Sequence, residues 1–254
     1  MHPLSSQFAK YCESHFVLKS RNPYVYKSLP ICLIDCVYSL RTRYESVTLP
    51  IVQRYADAYM NGNRCAEGDT VSALVDRIDK CGGPSAFADK VLQNHQKLGR
   101  TLIPKEEVLY QLAKYLLLLH IETIEDFRNF ESPKLLEIVI RAVKGISDAG
   151  ANYLFMLAGD PDRVKPDVHI HHCITDALGH DVSNKECQEI FTGAVEILRE
   201  RYDGLTVAAL DNTIWRVYSS KNSSRKARMK KSRSCAIARA EAVFMRSLSF
   251  NSLS

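Results

Sequence analysis

The chain has 254 residues, a formal net charge of +5, and 46% hydrophobic and 25% charged residues. That composition excludes fibrous and wholly disordered chains, and the length suits one large domain or two small ones with a core that needs no disulfide staples. No apolar run approaches the ~20 residues that span a bilayer, so no membrane association is expected; the longest run, YLLLLHI at 115–121, reads as a buried turn of helix.

The basic excess is concentrated in one Ser-rich stretch, SSKNSSRKARMKKSRS. In it Lys221, Arg225, Lys226, Arg228, Lys230, Lys231 and Arg233 stand without an acidic residue. Such a block can hold nucleic acid by attraction to phosphates. A solvated linker or a nuclear address explains it equally well, since charge alone names no partner. The eight cysteines include no C-x-x-C pair, and MHPLSSQFAKYCESHF lacks the apolar core of a secretory leader. Reduced thiols are therefore expected, in a bacterial cytoplasm (nucleoid) or in a nucleus. Cys32 and Cys36 share one helical face, as small core residues do.

The periodicity is helical nearly throughout, which predicts an all-α protein without strands. A helix over about 30–46 opens at Pro30. The next, 49–60, opens at Pro50 and stops before Asn61-Gly62. Residues 70–80 follow Asp69 and end at Gly82-Gly83; 85–97 follow Pro84; 105–119 follow Pro104; a short helix covers 122–130. Ser132 caps a helix over 133–143 with Pro133 in its first turn. Gly145 closes it, and Asp148 opens 149–158. Pro166 opens about 167–178, which ends at Gly179. Ser183 and Glu186 form a capping box for 184–201. An amphipathic helix follows over 206–219, with a weaker candidate at 236–247. No repeat of fixed period is present.

The segment 134–179 carries the chemistry. An apolar helix turns tightly through Lys144-Gly145-Ile146-Ser147-Asp148 into a second apolar helix. Gly145 permits a left-handed backbone at the turn, and Ile146 can plug the space between the helices. Unpaired amides from Ser147 to Gly150 form an anion site that fits a phosphate, and small Ala149 and Gly150 permit its close approach. By itself this reads more simply as an ordinary αα-hairpin. Farther along, Lys165-Pro166-Asp167 sets a carboxylate at the start of the next helix, where the dipole favours its charged form. A fixed anion there can stabilise an oxocarbenium-like sugar.

Hairpin and Asp together resemble the helix-hairpin-helix (HhH-GPD) DNA glycosylase superfamily, on AVKGISDAGANYLFMLAG (142–159) and VKPDVHI (164–170). The likeness extends weakly to 26–59 and 205–218. The resemblance implies a two-lobed helical fold with a DNA cleft between lobes. One lobe is 31–164, a six-helix-barrel-like unit ending in the hairpin; the other is 1–30 plus 165–218; 219–254 form a basic arm and tail. It implies a monomer on double-stranded DNA that flips out a base and hydrolyses its N-glycosidic bond, with Asp167 as the catalytic Asp. Gly145, Ile146, Ser147, Ala149 and Gly150 would bind the DNA backbone, with a monovalent cation on carbonyls of Gly145, Ser147 and Gly150. The chain departs from the family in having Ser147 where a second Gly is usual. Ala149 stands where bifunctional members carry a nucleophilic Lys, so no lyase step is expected, with Lys144 the nearest substitute amine. No Cys cluster for an iron–sulfur centre follows the hairpin, so none is expected.

The resemblance also sets Asp35 beside the base pocket, with Tyr38, and Arg41 near the wedge that fills the gap of a flipped base; Arg43 and Tyr44 compete for that place. A helix exposed on one side explains Asp35 more simply. His169, His171 and His172, with His180 nearby, supply imidazoles but no completing carboxylate or Cys pattern for a metal. Two rival readings remain: a non-catalytic hairpin protein that binds DNA, and a metal-dependent hydrolase built on the His cluster. The target base stays open among alkylated or oxidised purines, mismatched pyrimidines, and bulky modified cytosines of phage DNA, the last implying a defence role.

Overall fold

The computed structural model describes residues 2–20, 23–24, 26–99 and 102–220. The basic block from Lys221 and the candidate helix at 236–247 lie outside the described residues. The fold is all-α with one minimal ladder. Its helices are α1 (Ser5–His15), α2 (Leu29–Ser39), α3 (Leu49–Tyr59), α4 (Val71–Cys81), α5 (Pro84–Phe87), α6 (Lys105–Leu118), α7 (Ile124–Arg128), α8 (Pro133–Ala142), α9 (Asp148–Leu157), α10 (Val168–Leu178), α11 (Asn184–Leu198) and α12 (207–220). Strands β1 (Lys97–Leu98) and β2 (Ile103–Pro104) pair antiparallel between α5 and α6. Two residues per strand are too few to produce the alternation that sequence reading relies on.

Two apolar cores divide the chain. The first gathers α2 to α9 around α2, every residue of which is buried. A helix that is apolar on all sides belongs at the centre of a core, and α2 packs against α3, α6 and α9. The second core joins Phe8 and Cys12 of α1 to Ile170 and Cys173 of α10, Phe191 of α11, and Leu210 and Ile214 of α12. α12 borders both, since its Ala208 belongs to the first core and its Leu210 to the second.

Helix starts follow the local caps. Ser28, Thr70, Thr123, Ser132, Ser147, Asp167 and Ser183 each accept an amide of the first turn. Three ends differ from expectation. α2 stops at Ser39, not near 46: Leu40 turns extended and Arg41 takes φ 56°, so Arg41 stands beyond the helix. The span 85–97 breaks into α5, a wide turn at Ala88–Leu92 and Gln93 at φ 50°. α1 has no clear periodic signal, because its buried stripe is only Ser5, Phe8, Ala9 and Cys12 and its partner, α11, lies far along the chain. The 115–121 run is not wholly buried either: Leu116 is, but Leu118 is 77% exposed at the end of α6. Among the described residues no helix is long and apolar enough to cross a membrane.

Candidate active site

The hairpin is α8, a five-residue turn and α9. Gly145 sits at φ 108°, and a Cβ there would run into Leu98 of β1, so the turn needs glycine twice over. Ile146 is buried between the helices. Ser147 caps α9, its Oγ accepting the Gly150 amide at 3.4 Å, so one of the amides expected to be free for phosphate is taken. Gly150 is small for packing: its Cβ would stand 3.1 Å from Leu40 Cδ2, and its carbonyl accepts the Cys36 thiol at 3.3 Å. The Ser147 carbonyl accepts the Ala151 amide. Two of the three carbonyls named for a cation thus have partners inside the protein. Ala149 is half-buried and Lys144 exposed on the turn.

The loop after α9 is tied back to the hairpin. Arg163 reaches Glu137 of α8 and Asn152 of α9, both at 3.3 Å, and Asn152 Nδ2 donates to the Val164 carbonyl at 3.0 Å. The Val164 amide donates to Gln188 of α11 and the Lys165 amide to Asp211 Oδ1 of α12, at 3.1 and 2.9 Å. The Asp167 amide closes a tight turn onto the Lys165 carbonyl at 2.6 Å. Asp167 is then the N-cap of α10, its Oδ1 accepting the amides of His169 (2.8 Å) and Ile170 (3.2 Å). Both bonds are those of a helix N-cap and satisfy amides that α10 leaves open at its start. Its side chain is half-buried.

Asp35 is not on an exposed helix side, as expected, but wholly buried on α2. Its Oδ2 accepts the hydroxyls of Tyr26 (2.9 Å) and Tyr44 (2.8 Å), and its Oδ1 that of Tyr153 (2.9 Å). Burial raises the Asp35 carboxyl above the usual carboxylate range, while the three hydroxyls and the charge of Lys165 pull it down. With three of about four lone pairs engaged, Asp35 is chiefly the anchor of a tyrosine cage rather than an open acceptor for a base amine. Lys165 Nζ lies 3.5 Å from the centre of the Tyr153 ring. Trp215 of α12 meets Tyr44 edge to face at 5.8 Å and His169 at 6.2 Å, joining the cage to the α10 N-terminus.

Tyr38 does not join this group. Its carbonyl accepts Lys105 Nζ at 2.9 Å, and its buried hydroxyl has no hydrogen-bond partner among the described residues. Arg41 is exposed beside Gly99, and Arg43 is exposed too; of the wedge candidates only Tyr44 enters the cage. The histidines diverge: His171 bonds Asp181 (2.6 Å) and Asn184 (3.0 Å), while His169 faces Trp215. Among the described residues no three His, Cys, Asp or Glu side chains are grouped to hold a metal. A cavity of about 760 Å3 lies on the other flank of the hairpin, bounded by Val75, Ile103, Val108, Tyr115, Leu118 and Lys144, away from Asp167.

Sequence reasoning missed Tyr26, Tyr153, Lys165, Asp211 and Trp215. One signal was present. Val207, Leu210, Ile214 and Tyr218 form the buried stripe of α12, and Asp211 falls on that stripe.

Residues 6–219 match the model of a family described as Domain of unknown function (DUF8548), and the chain belongs to that family. No curated protein matches the chain. Among solved structures it is similar to an 8-oxoguanine glycosylase/lyase of Clostridium acetobutylicum, crystallised with double-stranded DNA containing cytosine opposite 8-oxoguanine. Identity is 12% and the TM-score 0.48; the match covers 78% of this chain and 61% of that one.

Proposed function

We propose that this protein is a monofunctional DNA glycosylase that flips a damaged, mismatched or modified base from duplex DNA and hydrolyses its N-glycosidic bond. The observation that carries the reading is the setting of Asp167. Its carboxylate is half-buried, held by two α10 amides, and fixed to the hairpin through Val164 and Asn152. As the base departs, positive charge develops on the sugar, and a carboxylate fixed in advance stabilises it without reorganisation. Water then adds at the sugar carbon. Ala149 offers a methyl group where a lyase needs an amine, so the strand stays intact after excision. The α9 N-terminus and the basic block hold phosphates, with a monovalent cation at the turn as an accessory.

One observation favours a second reading, a non-catalytic hairpin protein that binds DNA. The Tyr44–Trp215 contact and the Asp35 cage set aromatic side chains beside the α10 N-terminus, and the 760 Å3 cavity is lined by other residues.

The deciding experiment incubates the protein with duplexes carrying a panel of modified bases and identifies any released base by mass. Expected are a free base and an abasic strand that breaks only after alkali, with borohydride trapping no adduct. Asp167→Asn should lower excision by on the order of a hundredfold or more while binding to a duplex with a tetrahydrofuran abasic analogue persists. Tight binding with no base released from any duplex would establish the non-catalytic reading.

A further inference from the structure

We infer that Asp211 is a positioning residue for Asp167, pinning the Lys165-Pro166-Asp167 turn from α12. The inference rests on the glycosylase reading for its role in excision, and on geometry alone for the contact that holds the turn.

Asp211 is 3% exposed, on the buried stripe of α12, where a Leu or Val would ordinarily stand. Its Oδ1 accepts the Lys165 amide at 2.9 Å. Two residues later Asp167 begins α10, and the turn between them closes on the Lys165 carbonyl. Pro166 has no amide to give, so the Lys165 amide is the donor through which α12 holds this turn. A shift at Asp211 therefore moves the Asp167 carboxylate, and displacements of about 1 Å at a reacting centre cost on the order of a hundredfold in rate.

Burial, and then the charge of Asp167, push the Asp211 carboxyl well above the usual range; the Lys165 amide and ammonium act in the opposite sense. Cys187 of α11 and Tyr24 lie within its electrostatic reach.

The test uses the full chain. The amides of His169 and Ile170, which Asp167 accepts, are compared by NMR in the wild type, Asp211→Ala and Asp211→Asn. Asp211→Ala, without the acceptor, should shift both amides, and Asp211→Asn, which keeps an acceptor oxygen, should return them toward their wild-type positions. Asp211→Ala should also lower single-turnover excision about 10- to 100-fold and leave the affinity for a tetrahydrofuran-containing duplex unchanged, and Asp211→Asn should recover part of that loss. Unmoved His169 and Ile170 amides in Asp211→Ala, or wild-type excision by that variant, would overturn the assignment. The amide comparison needs no substrate: if no duplex in the panel loses a base, the glycosylase reading fails, and the amide shifts still decide whether Asp211 positions Asp167.

Discussion

Replacing Lys105 by Met should leave the fold intact and raise its stability at neutral pH. Lys105 is 1% exposed at the start of α6. Its ammonium donates to the Tyr38 carbonyl (2.9 Å), Thr42 Oγ1 (2.5 Å) and Gln96 Oε1 (3.1 Å), and no carboxylate pairs with it among the described residues. Burial lowers its pKa from 10.5 to about 8. That gap corresponds to about 3 kcal/mol of destabilisation where the ammonium must be buried charged. The sign follows from proton counting. Between pH 8 and 10.5 the unfolded chain binds the extra proton, so wild-type stability rises with pH across that window and the full penalty applies below it. The hydrogen bonds lost with Met are offset unusually well. The Tyr38 carbonyl still accepts Thr48 Oγ1, and the one Thr42 hydroxyl proton can go to Gln96 Oε1 or to the Leu40 carbonyl. Each lost bond is worth about 1 kcal/mol, so the net gain at pH 7 is roughly 0–2 kcal/mol. Urea unfolding of both proteins from pH 7 to 10.5 measures the difference directly, because other titrating groups cancel. The advantage of Lys105→Met should shrink by about 3 kcal/mol across the window. A difference flat with pH would refute the reasoning, and a Met variant several kcal/mol less stable at pH 7 would show the ammonium to be indispensable.

Gly145→Val should cost about 2–5 kcal/mol, from left-handed strain and the clash with Leu98, and should weaken binding to duplexes of any sequence. In filter binding at a temperature where the variant is folded, a loss confined to one base identity would assign the turn to the base pocket instead. Asp35→Ala should take the shared acceptor from the buried Tyr153 hydroxyl and from the half-buried hydroxyls of Tyr26 and Tyr44, and cost about 2–4 kcal/mol by thermal unfolding; a loss under 1 kcal/mol would mean that the cage is not load-sharing. Deleting 221–254 should weaken DNA binding and flatten its salt dependence by up to about seven phosphate contacts, with the single-turnover excision rate kept. A truncated chain that binds normally but no longer excises would move the arm into the chemistry.

What the sequence made legible is what local chemistry decides. Ser132 and Asp167 act on amides within three residues of themselves and Gly145 sets only its own φ, so hairpin and turn could be read in advance, although α9 is capped by Ser147 and Asp148 is its first residue. The tyrosine cage could not, because Asp35 meets Tyr26 and Tyr44 from nine residues away on either side and Tyr153 from 118 residues away. Local pattern carries no trace of such pairings, and a lone carboxylate within an apolar run reads as the exposed side of a helix when its partners lie elsewhere in the chain. The same distinction sorts the three carboxyl groups by what each can do. Asp35 is enclosed and saturated with hydroxyl donors, and Asp211 is enclosed with one backbone amide on its Oδ1. Asp167 alone of the three is both partly reachable and bonded by two amides of a helix N-terminus. Burial raises the carboxyls of the other two. A reacting centre that turns positive is what the proposed excision would bring to Asp167, and the bond from the Lys165 amide to Asp211 of α12 is what ties the turn before α10 to the rest of the fold.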